Sequence, residues 1–191
     1  KALGPTGVGF LYGKSYLLEE MDSFLVGGDT IKDVQYENGR IKPTYLGPPH
    51  KYEAGLQNYA GEIGAGAACD YLASIGMENI EKREAELTVK LHKMLANFDS
   101  INIIGPKDPT KRSGLVSFQM KNIDAAGDIA NFLDSDIDTH KIMIRAGAHC
   151  TNPFHYSLGI HPSVGTARAS VYVYSNEEEI DILQESLEKL E

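Results

Sequence analysis

From residue 101 to the end, short apolar runs alternate with helical stretches, and this alternation constrains the fold more than any other feature. Ile101–Ile104, Leu115–Met120, 142–144 and 169–174 have the length and β-branched or aromatic content of strands. Residues 125–133 read as a short helix. In the last stretch Asn176 is placed to cap a helix, Glu177, Glu178 and Glu179 suit its first turn, and Ile180, Leu183, Leu187 and Leu190 recur on one face. Upstream, 78–98 is amphipathic, with Ile80, Leu87, Leu91, Met94, Leu95 and Phe98 on one broad face. Residues 58–75 carry Ala and Gly throughout, which suggests a helix packed closely on other backbone despite its glycines. Residues 7–12 read as a buried strand and 27–58 mostly as loop. The fold class is therefore α/β, with a smaller α+β unit from about Ile101 onward.

Composition narrows the function classes. A formal charge of −9 argues against a generic nucleic-acid or anionic-membrane binder, which needs a basic surface. No apolar run approaches ~18 residues, so no transmembrane helix is expected, and no signal peptide is visible. Two cysteines, Cys69 and Cys150, argue against a disulfide framework and fit a cytoplasmic, reducing compartment.

The opening run holds Gly4, Gly7, Gly9 and Gly13, and Gly13-Lys14-Ser15 invites a P-loop reading. A Walker A loop needs glycine where Val8 stands, and a dinucleotide fingerprint needs it where Tyr12 stands. The apolar run also lies between the first glycines and Lys14, the wrong order for a P-loop. A tight turn feeding a closely packed strand accounts for these glycines better than a nucleotide.

The reactive groups concentrate later. Cys150 follows a strand candidate in a Gly/Ala loop, next to His149 and five residues from Arg145. A neighbouring imidazole or guanidinium favours the nucleophilic thiolate, and a loop keeps the sulfur accessible. The alternative is a small buried hydrophobe, which is how Cys69 reads inside its Ala/Gly helix. Arg168 enters an otherwise apolar strand, which is costly unless it meets a carboxylate, either a ligand's or that of a structural Asp or Glu. His140, His149, His155 and His161 match no standard zinc spacing, so no metal is expected. A Cys-His hydrolase is disfavoured because residues adjacent in sequence rarely point at each other.

Taken in order, these segments resemble the Suf-type (class II) cysteine desulfurases, relatives of the selenocysteine lyases among the fold-type-I pyridoxal-phosphate enzymes. Lys1 to Lys14 is similar to the family's segment beginning at the lysine that forms the Schiff base. Gly27 and Gly28 resemble its Gly-Gly loop, residues 52–58 its dimer loop, 145–150 its cysteine loop and 167–170 its substrate-arginine strand. The short loop around Cys150 points to the Suf-type class. Leu56 stands where the family has threonine, and Ala148 replaces the first of two paired histidines.

The resemblance implies the C-terminal part of a fold-type-I PLP-dependent transferase. Residues 1–76 would end the large domain and carry the dimer loop, 77–100 would connect, and 101–191 would form an α+β small domain. Pyridoxal 5'-phosphate would be the cofactor, held by Lys1 with Gly27 and Gly28 beside it. Arg168 and Arg145 would bind the carboxylate of L-cysteine, and Cys150 would take its sulfur as a persulfide, leaving alanine. The parent would be a cytoplasmic homodimer passing sulfur to an acceptor or iron–sulfur scaffold protein, with no nucleic acid or membrane partner. Its upstream pocket residues are not in this sequence, so the isolated chain is expected to be inactive. The alternatives are a selenocysteine lyase and a non-catalytic half-fold interaction subunit.

Overall fold

The computed structural model describes residues 2–135 and 141–191. Lys1 and His140 lie outside the described residues. The chain forms two compact units, Lys1–Ile75 and Gly76–Glu191.

In the first unit, the short helix α1 (Ser15–Glu20) is held at its C-terminal end by side chains distant in sequence. Lys51 Nζ donates to Glu19 O at 2.9 Å, and the Tyr52 hydroxyl lies 2.6 Å and 2.7 Å from Leu18 O and Met21 O. These contacts occupy carbonyls that a helix end leaves unpaired.

The stretch read mostly as loop contains a hairpin of β1 (Ile31–Glu37) and β2 (Arg40–Tyr45). Its turn residues, Asn38 and Gly39, have φ of 50° and 78°, the positive pair that matches strand twist in a two-residue turn. Asn-Gly was the available signal, and Pro43 and the nearby glycines masked it.

Residues 7–12 do not form the expected buried strand. Phe10, Leu11 and Tyr12 are 77%, 70% and 88% exposed. Apolar content marks a run that suits burial, but a strand also needs a neighbouring ladder, and none pairs with it among the described residues.

Helix α2 (Tyr59–Ile75) matches its small-residue pattern. Asn58 Oδ1 accepts from the Gly61 N–H at 3.1 Å, and a Cβ at Gly64 would stand 3.0 Å from Pro5. Its buried positions are Gly61, Ala65 and Leu72, whereas Cys69 is exposed rather than the buried hydrophobe expected. The stripe of inward positions passes beside Cys69.

The second unit begins with α3 (Met77–Ala96), then β3 (Ile101–Ile104), β4 (Leu115–Met120) and α4 (Ala126–Ser135). Next come β5 (Arg145–Gly147), α5 (Asn152–Ser157), β6 (Thr166–Ser170) and α6 (Glu177–Glu188). The strands form one antiparallel sheet in the order β3-β4-β6-β5. Two strands lie offset from expectation: β5 starts at Arg145 instead of in 142–144, and β6 covers 166–170 instead of 169–174. Ile142 and Ile144 pack against the core outside any strand, so apolar content again marked burial, not ladder position.

Strand periodicity then sorts the side chains. Val116, Phe118 and Met120 of β4 and Ala167 and Ala169 of β6 face a core shared with Leu87, Leu91 and Leu95 of α3, Ile129 and Leu133 of α4, and Ile180, Leu183 and Leu187 of α6. The alternate positions, Ser117, Gln119, Thr166 and Arg168, project from the opposite face of the sheet. The start of α6 follows from sequence: Asn176 Oδ1 accepts from Glu179 N at 2.9 Å, and Glu179 Oε2 accepts from Asn176 N at 3.0 Å.

Candidate active site

The sheet face turned away from the core gathers the chemistry. Register sets Arg168 of β6 directly opposite Arg145 of β5 on one side and Ser117 of β4 on the other. Two like charges placed directly opposite across strands destabilise a sheet. Among the described residues, no carboxylate pairs with either guanidinium. Arg168 Nε is buried and has no hydrogen-bond partner. Leaving a buried charged donor unmade costs at least about 1–3 kcal/mol. Of the two partners open to Arg168, the structural carboxylate is therefore not found among the described residues, and the arrangement suits an anionic ligand.

A cleft of about 370 Å³ opens on this face. Ser117, Thr166, Arg168, His149, His155 and Arg112 are in its wall, and among the described residues no Asp or Glu is. In a chain of charge −9 that makes it a locally cationic recess. Arg112 was not anticipated from sequence. It donates to the carbonyls of Ile104 and Pro106 and so fixes the 104–106 loop at the rim.

Cys150 sits beside this cleft on the loop after β5. His149 and Cys150 have φ of 52° and 63°, consecutive left-handed residues that each cost of order 1–3 kcal/mol. The turn then closes locally, since Thr151 N and Thr151 Oγ1 both donate to Ala148 O, at 2.8 Å and 2.9 Å. The flanking glycines allow close approach of backbone: a Cβ at Gly165, whose φ is 63°, would stand 2.5 Å from Gly147 Cα.

Cys150 is exposed, with Arg145 Nη2 3.6 Å from its Sγ. His149 turns instead toward β6, its Nε2 lying 2.9 Å from Thr166 O and 3.1 Å from Thr166 Oγ1. Burial chiefly, then the charge of Arg168, holds the imidazole pKa below its ordinary value; Arg145 and His155 add to this, and the bond to Thr166 O opposes it. Of the two groups that sequence placed near the sulfur, the guanidinium is the one within bonding reach.

The remaining site candidates lie in the first unit. Gly27 N donates to Thr30 Oγ1 at 3.1 Å, and the fully buried Thr30 hydroxyl donates back to Gly27 O at 2.8 Å. Gly28 O accepts from Gly55 N at 2.8 Å, which joins the Gly-Gly loop to the 52–58 loop. Leu56 in that loop is 85% exposed. Lys14 precedes α1, whose six residues follow it directly, a helix start that sequence had not indicated.

Among the described residues, no group of three or more His, Cys, Asp or Glu is arranged to hold a metal ion, and no helix is long and apolar enough to cross a membrane.

The model of the aminotransferase class-V family matches residues 1–183. The chain is 41% identical over 188 residues to a cysteine desulfurase of Haloferax volcanii, covering 98% of this chain and 41% of that protein. Its fold matches the apo structure of cysteine desulfurase from Thermococcus onnurineus NA1 with a TM-score of 0.88 and 34% identity, over 99% of this chain and 44% of that one. It also matches the cysteine desulfurase CsdA (S-sulfonic acid) of Escherichia coli with a TM-score of 0.84 and 32% identity, over 97% and 43% of the two chains. The chain therefore spans less than half the length of these relatives.

Proposed function

This chain belongs to the aminotransferase class-V family, and on that premise we propose that it serves a pyridoxal-phosphate-dependent cysteine desulfurase. The carrying observation is the unpartnered, buried Nε of Arg168 on the same sheet face as the Cys150 loop. A planar guanidinium is suited to a carboxylate, and Cys150 stands exposed beside Arg145.

The donor chemistry fits the cofactor. A lysine amine, here Lys1, condenses with an aldehyde. Gly27 N–H is taken by Thr30, but a side chain at Gly28 would meet nothing within 4 Å, so that stretch of backbone is open to an anionic group. Lys1 and the Gly27–Gly28 loop would hold pyridoxal phosphate, which supplies an electron sink at the substrate α-carbon.

Arg168, Arg145, Cys150 and Lys1 then each have a task. Arg168 binds the carboxylate of L-cysteine, and Arg145 adds positive charge beside it and beside the Cys150 sulfur. The Cys150 thiolate attacks the substrate sulfur, so an S–S bond forms and the C–S bond breaks. The C–S electron pair stays on carbon, which takes a proton, and Lys1 moves protons at the α-carbon. Carbon is reduced, sulfur is oxidised to the sulfane level, and the products are L-alanine and a Cys150 persulfide. We assign the enzyme to the cytoplasm as a homodimer, with the persulfide passed to an acceptor or scaffold protein for iron–sulfur cluster assembly.

The test is steady-state alanine formation by an assembled enzyme containing this chain. Arg168→Lys should raise KM for L-cysteine by about 10- to 100-fold, the loss of a charge-assisted bidentate bond. An unchanged KM would remove Arg168 from the carboxylate site.

A further inference from the structure

Thr166 and His155 lie behind Cys150, not at it, and the mechanism above uses neither. Their hydrogen bonds can be ordered. Thr166 O is a carbonyl and can only accept, so His149 Nε2 carries the proton that bridges the 2.9 Å to it. His155 Nδ1 lies 3.1 Å from Thr151 O, also a carbonyl, so Nδ1 donates there and Nε2 is left to accept in the neutral ring. The Thr166 hydroxyl is 3.3 Å from that Nε2 and 3.1 Å from His149 Nε2. It therefore donates to His155 and accepts from His149.

The chain of bonds runs Thr151 O, His155, Thr166, His149. It joins both sides of the cysteine loop to strand β6, since Thr151 follows Cys150 and His149 precedes it. His155 is only 3% exposed and Thr166 1%, so the bond between them is shielded from water. Between the two anchors, Cys150 alone is left outward, with its Sγ 3.6 Å from Arg145 Nη2.

We propose that Thr166 and His155 are positioning residues that clasp the cysteine loop to β6 and so keep the Cys150 sulfur beside the Arg145 guanidinium. This rests on Cys150 being the nucleophile, but it is tested without turnover. Cys150 and Cys69 are both exposed, and peptide mass spectrometry separates their alkylation by iodoacetate, an anion, from that by neutral iodoacetamide. A guanidinium held beside the sulfur favours the anionic reagent. Simple exposure through unfolding speeds both reagents alike.

The iodoacetate-to-iodoacetamide rate ratio at Cys150 should fall about three- to fivefold in Thr166→Val and in His155→Leu. At Cys69, the internal control, it should not move. Thr166→Ser keeps the hydroxyl and should retain the parent ratio. A parent-like ratio in Thr166→Val or His155→Leu with unchanged circular dichroism would overturn the proposal, as would a ratio lost in a folded Thr166→Ser. A sulfur-accepting Cys150 whose ratio ignores these substitutions would remove the clasp and leave the desulfurase reading standing.

Discussion

His149 shows how one side chain serves a site without touching the reacting atom. Its Nε2 is committed to Thr166, and its Nδ1 is buried without a partner, so protonation would add a buried N–H next to Arg168 and Arg145. Its pKa in the folded chain lies below the ordinary 6.5, chiefly through burial. As pH falls through 6.5, the unfolded chain takes up this proton and the folded chain does not, so folding stability drops until the folded pKa is reached. Above that window the contribution is flat. Melting temperature should therefore fall more between pH 7.5 and 5.5 in the parent than in His149→Asn; equal falls would show that His149 does not set the acid sensitivity. Sequence placed Cys150, Arg145 and Arg168 in this neighbourhood because an arginine in an apolar strand and a cysteine in a Gly/Ala loop are chemically conspicuous. It gave no such sign for Thr166 or His155, which are ordinary residues until register brings them together. Adjacency also suggested His149 as a neighbour of the sulfur, whereas two positive φ values turn the ring the other way.

Among the elements, β6 does the most to place the site, because alternation along five residues sends Ala167 and Ala169 inward and Thr166 and Arg168 outward. The approach of its leading turn to β5 depends on Gly165. Gly165→Ala would put a Cβ against Gly147 backbone at positive φ and should destabilise the fold by at least about 2 kcal/mol in a urea titration. A cost below a few tenths would mean the two turns do not touch. Asn176→Ala, which removes the cap of α6, should cost about 1 kcal/mol in the same assay. The longer helices were legible: α2, α3, α4 and α6 follow from small-residue content, 3.6-residue periodicity and a capping box, whereas the six-residue α1 and α5 were not read from sequence. Strand positions were less so, since 142–144 and 169–174 carry the apolar residues while the ladder runs through 145–147 and 166–170. A strand is fixed by its partner, and the partner is remote in sequence.

For the whole molecule, the two units differ in how far they bury their apolar residues. The second has a continuous core, whereas the first leaves Phe24, Tyr12 and Leu56 at 96%, 88% and 85% exposure. Exposed apolar surface on this scale suits burial against further polypeptide, which the proposed homodimer would supply. Leu56→Asp in an assembled enzyme should weaken the dimer at least about tenfold by sedimentation; an unaltered dimer would exclude the 52–58 loop from the interface. The apolar run at 7–12 misled for the same reason, since its composition suits burial that the described residues do not provide. What was legible at this scale was the order of motifs along the chain, and each motif is short enough to survive in sequence without its neighbours. Whether Cys150 receives sulfur from L-cysteine is read by peptide mass spectrometry of an assembled enzyme after a single turnover. One added sulfur atom is expected on the Cys150 peptide and none on Cys69, with Cys150→Ala carrying none. Alanine released with no sulfur on Cys150, or with sulfur on Cys69, would contradict it.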